Sequence, residues 1–282
     1  MRAVHTKIYS KSGLGDKLGL IPRYSFSRFI WPVMKVFMPD TLIKPIGPYR
    51  LTLNGKSLSH FLRYADLWEP RYRRSMMKQV YPGARVLELG SAYGYFTLLL
   101  SNRVGPTGAV LAVEPFPRYY KNLVRLKDSN AIQNITLLNV AIGDSSTTFA
   151  EFGVRDPNPY SGLKNVNPQK KDLEADIPAS PEPATEIIKV PALTLPKLLS
   201  TRGFHPDFIV MDIEGAELFV IKQLVQMDLR PALFFEVHPS FVGEDEVIRC
   251  LRMLEEARYA LKQTDQYHFS AVHANTCLFL IN

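Results

Sequence analysis

From residue 85 onward the chain alternates short apolar runs with longer segments whose apolar positions recur every three or four residues. The short runs predict strands at 85–89, 109–113, 135–140, 187–190, 207–211, 232–237, 258–264 and 276–281. The longer segments predict helices at 95–103, 117–128, 192–201, 216–227 and 244–257. In the last of these, Val247, Ile248, Leu251 and Leu254 share one face, the stripe of a helix packed on a sheet. Such alternation implies an α/β fold, a mostly parallel sheet with helices on both faces. Upstream, 49–53 reads as a strand closed by an Asn54-Gly55 turn, and 58–79 as a helix broken at Pro70. The rhythm fails across 152–185, where Pro157, Pro159, Pro168, Pro178, Pro181 and Pro183 interrupt every apolar run. A long irregular stretch inside a domain is functional or merely solvated. We read this one as a lid or acceptor-binding insertion whose best-ordered point is Tyr160-Ser161-Gly162; a solvated spacer is the alternative.

Charge changes the picture at the start of the chain. Residues 1–50 hold nine Lys and Arg against Asp16 and Asp40, which accounts for the whole net charge of +7. A basic lead on a neutral body points to a surface tether or an anionic partner, and away from a nucleic-acid groove across the body. Within it, 26–38 is rich in aromatics (Phe26, Phe29, Trp31, Phe37) but contains Pro32, Arg28 and Lys35. It is too short and broken to span a bilayer and has no signal-peptide cleavage site. It is either a helix packed on the domain or an interfacial segment in peripheral contact with a membrane. The expected division is therefore a basic, aromatic segment 1–48 and a domain 49–282 carrying the 152–185 insertion, in a cytoplasmic or membrane-peripheral protein. Cys250 and Cys277 read as core and exclude a disulfide framework or a cysteine-rich zinc site.

The chemistry begins at 85–100. A strand ends at Leu89, Gly90 and Gly94 turn the chain, and an apolar helix starts near Phe96. That arrangement lets backbone amides approach a ligand at a helix N-terminus. A second strand, 109–113, delivers Glu114 about 20 residues later, where an acid accepts hydrogen bonds from ribose hydroxyls. The turn Gly90-Ser91-Ala92-Tyr93-Gly94 is not G-x-G-x-x-G and carries no Lys or Arg for phosphates. An adenosine without a pyrophosphate fits it better than a dinucleotide, and S-adenosylmethionine is the expected cofactor.

Two further strands end in ionisable residues. After 207–211 come Asp212, Glu214, Gly215 and Glu217. Glu217 has a structural explanation as an acid in a first helical turn, whereas Asp212 and Glu214 are costly at a strand end unless they meet donors, cations or a ligand. The strand 232–237 carries Glu236 near its end and is followed by His238, the two alternating onto one face. His238 is the only one of the six histidines at a strand's carboxyl end beside other acids, the edge where open α/β sheets bind ligands. Asp156-Pro157-Asn158-Pro159-Tyr160 is set aside as a decoy for the box of amine-methylating enzymes, because it does not end a core strand.

The order of glycine loop, Val113-Glu114-Pro115, Asn139-Val140-Ala141, Asp212-Ile213-Glu214-Gly215-Ala216-Glu217 and Glu236-Val237-His238 resembles the FkbM family of S-adenosylmethionine-dependent methyltransferases. The resemblance runs from about Tyr49 to Leu280. It implies the class I methyltransferase fold, a Rossmann-like three-layer sandwich whose seven-stranded, mostly parallel sheet has an antiparallel last strand. It also implies O-methylation of sugars or related hydroxyl acceptors. Carried over, Glu88, Gly90 and Gly94 line the methionine part of the cofactor together with Ser91, where this chain departs from the family's usual Ala-Asn with Ser91-Ala92. Glu114 holds the ribose, and Asn139 and Val140 lie near the adenine. Asp212 is counted both with the cofactor and with Glu214, Glu236 and His238 as catalytic. The expectation is an O-methyltransferase acting on a glycan, a small molecule or a related natural product; a lipid-linked sugar acceptor and a non-catalytic cofactor-binding scaffold are its rivals. An imidazole near neutrality suits removal of the hydroxyl proton. The competing route, acids holding a divalent metal, is not favoured, because the sequence supplies no full ligand set.

Overall fold

The computed structural model of the protein describes residues 41–54, 70–144, 148–155, 158–163, 186–263 and 268–274. The expectations for 1–22, 26–38, 58–69, 164–185, 276–281 and Cys277 lie outside these residues. The chain divides into two compact units. The first, residues 1–43 and 52–69, is described only at 41–43 and 52–54, which are strand residues. The second comprises residues 44–51 and 70–282 and carries everything that follows.

Two strands, β1 (Thr41–Ile46) and β2 (Tyr49–Asn54), form a two-stranded sheet. From Pro70 come α1 (Pro70–Gln79), β3 (Arg85–Leu89), α2 (Tyr95–Val104), β4 (Ala109–Val113), α3 (Pro117–Ser129) and β5 (Ile135–Leu138). Four strands then interrupt the alternation: β6 (Ala141–Ile142), β7 (Phe149–Arg155), β8 (Asn158–Leu163) and β9 (Glu186–Leu193). It resumes with α4 (Leu195–Arg202), β10 (Phe208–Met211), α5 (Glu217–Val225), β11 (Ala232–Glu236), α6 (Pro239–Val242), α7 (Glu244–Glu256), β12 (Tyr259–Gln263) and β13 (His268–His273).

Seven strands make the main sheet in the order β12-β13-β11-β10-β3-β4-β5, with β13 antiparallel to both neighbours. This is the α/β sheet expected from the alternation, with the antiparallel strand that the family resemblance implies. The central strands are buried on both faces, as their continuous apolar runs require. Phe208 stacks on Phe234 at 6.1 Å and Phe235 on Phe269 at 5.7 Å, so aromatic side chains fill the core on the β10–β11–β13 side. Connections from β3 walk outward through β4 to β5, whereas β10 and β11 lie on the other side of β3. Right-handed crossovers therefore place α2 and α3 on one face and α5 on the other. The crevice of such a sheet opens where the order reverses, between β3, β4 and β10 at their carboxyl ends.

Four expectations need correction. The strand at 187–190 is part of β9, but it belongs to a separate four-stranded sheet, β6-β9-β7-β8, and not to the main one. The insertion is not irregular at its start: β7 and β8 pair as an antiparallel hairpin, and Tyr160-Ser161-Gly162, expected as its best-ordered point, lies in β8. Pro159 is tolerated because β8 is an edge strand. The predicted strand 135–140 stops at Leu138. Finally, the apolar pattern predicts no strand at 268–273, which forms the antiparallel strand; its two histidines and Ser270 conceal the buried Phe269 and Ala271.

Candidate active site

The glycine turn is held from both sides. Gly90 N–H and Ser91 N–H both donate to the Val113 carbonyl, tying the end of β3 to the end of β4. Gly90 has φ +89°, and a Cβ there would stand 1.9 Å from the Asp212 carbonyl oxygen. Only glycine lets the end of β10 come this close, and the contact places Asp212 against the turn. Gly94 caps α2 with φ +90°, and a Cβ would meet Leu126 at 2.6 Å and Leu123 at 2.8 Å. Its requirement is thus set by backbone conformation and by α3, rather than by space for a ligand alone. Ala92 also lies in the left-handed region, at φ 45°.

Two carboxyls line the turn. Glu88, 2% exposed, accepts hydrogen bonds from Thr97 Oγ1 (2.6 Å) and Ser91 Oγ (3.1 Å), which fastens β3 to α2. Burial raises its pKa to about 7 against the lowering effect of those two bonds. Glu114 is also buried and accepts from Ala92 N–H (2.7 Å) and Phe116 N–H (2.8 Å). Burial raises it to about 7 as well, with the charges of Glu88 and Asp212 adding to the effect. Two of its lone-pair positions remain for a ribose. Asn139 turns its Nδ2 onto the carbonyls of Glu114 (2.8 Å) and Pro115 (2.9 Å). That explains both the early end of β5 and how the segment bearing Glu114 is fixed. Val140 follows, half-buried, at the start of the second sheet. Under that sheet, Ala141, Val190 and Ala192 pack with Phe116, Ala150 and Ile188. Tyr95, the first residue of α2, accepts from Arg73 Nη1 at 2.5 Å and has Lys44 over its ring at 5.8 Å. Sequence pattern gave no reason to bring these cations there.

The acids of β10 and β11 converge on His238. Its Nε2 lies 3.4 Å from Asp212 Oδ1, 3.6 Å from Glu214 Oε2 and 3.9 Å from Glu236 Oε1. All four residues named from the sequence therefore come together, because β10 and β11 are adjacent and in parallel register. A fifth was missed. Glu217 Oε1 is 2.9 Å from His238 Nδ1 and also accepts from Ile213 N–H at 3.2 Å. Its place in a first helical turn sufficed to explain it, but its burial could have marked it as partnered. Glu214 adopts φ 54°, a left-handed conformation rare outside glycine, immediately before Gly215. The neighbouring structure must stabilise that strain.

The electrostatics differ from the expectation of an imidazole that titrates near neutrality. Burial pushes the His238 pKa down, but Glu214, Glu217 and Glu236 outweigh it, and the ring is held well above its ordinary value. Burial raises Glu214 to about 8, opposed by His238 and reinforced by Asp212, Glu236 and Glu217. Glu214 and His238 thus oppose each other's shifts and titrate together. His238 in the free site carries a proton near neutrality and accepts another only after losing it.

The profile of a family described as "Methyltransferase FkbM domain" matches residues 83–262. A curated protein, the protein-L-isoaspartate O-methyltransferase of Methanothermobacter thermautotrophicus, is 26% identical over 136 residues, covering 48% of this chain and 55% of that protein. The chain thus spans about half the length of this relative. Among similar solved structures, methyltransferase FkbM from Methylobacillus flagellatus has a TM-score of 0.45 and 14% identity, covering 76% of this chain and 52% of that one. A SAM-dependent methyltransferase from Aquifex aeolicus has a TM-score of 0.42 and 15% identity, covering 76% and 95%. Fibrillarin from Aeropyrum pernix has a TM-score of 0.42 and 15% identity, covering 71% and 74%.

Proposed function

This chain belongs to the FkbM family of methyltransferases, and from that premise we propose that it methylates a hydroxyl of a sugar, glycan or related natural product. It is an S-adenosylmethionine-dependent methyltransferase, and the cofactor supplies an electrophilic methyl group on a sulfonium. The residues of the turn fit such a group: Glu114 keeps acceptor capacity for ribose hydroxyls, and the turn between Gly90 and Gly94 presents no cation to repel a sulfonium. Glu88, Gly90, Ser91, Gly94, Asn139, Val140 and Asp212 are the remaining residues we assign to the cofactor. Glu88 and Asn139 act by fixing the turn and the segment bearing Glu114.

One observation carries the hydroxyl reading, the convergence of Asp212, Glu214, Glu236 and His238 beside the glycine turn. Transfer of a methyl group from a sulfonium to a hydroxyl would require a residue of this chain to take the hydroxyl proton. A histidine–carboxylate cluster that titrates near and above neutrality is suited to take it. Glu217 fixes the ring of His238 so that Nε2 points to the other three acids. The second sheet packs against Phe116, two residues after Glu114, and its strands β7 and β9 flank the segment we read as the acceptor-side insertion.

The test is incubation of the full chain with methyl-labelled S-adenosylmethionine and sugar or glycan acceptors, followed by mass spectrometry. We expect products bearing one added methyl group that survives mild alkali, as an ether does. Label released as methanol by alkali would identify carboxyl esters instead and overturn the hydroxyl assignment.

A further inference from the structure

We infer that Asp212, Glu214 and His238 form a binding site for one divalent cation, with Mn2+ the best chemical match and Mg2+ a weaker one. One ligand atom from each of these three side chains lies within 4.8 Å of the others. Around an ion with bonds of about 2.1–2.4 Å, neighbouring ligands stand about 3–3.4 Å apart and opposite ones about 4.2–4.8 Å. The Nε2 distances of 3.4 Å to Asp212 and 3.6 Å to Glu214 fall in or near that range and are too long for direct hydrogen bonds.

Two further observations point to a ligand rather than to a cluster that satisfies itself. Glu214 Oε2 is buried from solvent and accepts no hydrogen bond, although its side chain is held at a strained backbone angle facing His238. A buried carboxyl oxygen left without a hydrogen-bond partner is costly, and a cation bonded to it removes that cost. The ring of His238 is oriented as in metal sites: Nδ1 is engaged by the Glu217 carboxylate at 2.9 Å, leaving Nε2 to face the two other carboxylates. This carboxylate–histidine pairing fixes the tautomer and raises the basicity of the ligating nitrogen. Two carboxylates and one imidazole are a mixed set that Mn2+ accepts and that favours Mg2+ less, since imidazole is a softer ligand than Mg2+ prefers. The inference deepens the reading of this site given above but needs no acceptor to be tested.

The experiment is titration of the full chain with Mn2+ alone, without cofactor or acceptor, followed by electron paramagnetic resonance and calorimetry, with Mg2+ as competitor. We expect one Mn2+ per chain and a rise in thermal unfolding temperature on binding. Affinity should be at least about tenfold weaker in Glu214→Gln and about 10–100-fold weaker in Glu217→Gln. It should be unchanged in Glu255→Gln, which alters an exposed acid on α7. If Glu214→Gln fails to fold by circular dichroism, Asp212→Asn, at a side chain 53% exposed, serves in its place. Absence of saturable binding in folded protein, or equal affinity in wild type and the ligand variants, overturns the site. Hydroxyl methylation that proceeds in excess chelator by a chain that binds no Mn2+ sinks the site and leaves the function standing. Stoichiometric Mn2+ binding without any hydroxyl product does the reverse.

Discussion

Glu88→Gln should stabilise the protein at alkaline pH and not at acid pH. Glu88 is buried inside β3, and its carboxyl is raised from 4.5 to about 7. A raised carboxyl destabilises the folded state once it must ionise there. The penalty is nearly absent below about pH 4.5, grows as pH rises through the window from 4.5 to 7, and is complete above it. Between pH 5 and pH 8 the change amounts to about 2.5 kcal/mol, and the full penalty to about 3 kcal/mol. Glutamine keeps an oxygen to accept from Thr97 and Ser91, while its buried NH2 group must find an acceptor at a cost of about 1 kcal/mol. The variant should therefore be about 1 kcal/mol less stable than wild type near pH 4.5 and about 2 kcal/mol more stable at pH 8. Urea unfolding of both proteins at several pH values measures this directly, since the slope with denaturant should not change. A stability difference that stays constant from pH 5 to pH 8 would refute the claim that Glu88 is buried in a form that resists ionisation.

Gly90→Ala should destabilise by about 3 kcal/mol or more in urea unfolding, because its Cβ meets the Asp212 backbone oxygen and cannot be accommodated by a side-chain shift. Glu114→Ala should weaken S-adenosylmethionine binding by about 1–3 kcal/mol in calorimetry, the scale of a lost charged hydrogen bond; unchanged affinity in a folded variant would remove Glu114 from the cofactor site. His238→Ala should lower methyl-transfer turnover about 10²–10⁴-fold while cofactor affinity stays nearly the same. In the wild type, kcat/KM should rise with pH through an apparent value above 6.5, and Glu236→Gln should move that limb to lower pH, because it removes one of the charges that hold the proton on His238. An acid limb unmoved by Glu236→Gln would count against the cluster titrating as one unit.

Local rules made much of this protein legible. A five-residue apolar run has one economical solution, a buried strand, and a glycine after it has few. Thus β3, β4, β10 and β11, the helices α2, α3 and α7, and the positions of Glu114, Asp212, Glu214, Glu236 and His238 at strand ends followed from the order of residues. What the order of residues could not supply was which distant groups meet. The period of a strand assigns faces but not neighbours. Hence the second sheet formed by β6 to β9, and the strand at 268–273, emerged only from pairing in space. Gly94 looked like room for a ligand, whereas its Cβ position is occupied by leucines of α3. Glu217 looked like a helix-dipole acid, whereas it is the partner of an imidazole 21 residues away. The protonation of His238 was beyond reach for the same reason. Alone in sequence it is an ordinary histidine near neutrality; buried among carboxylates from β10, α5 and β11, it holds its proton, because charge acts through space and not along the chain.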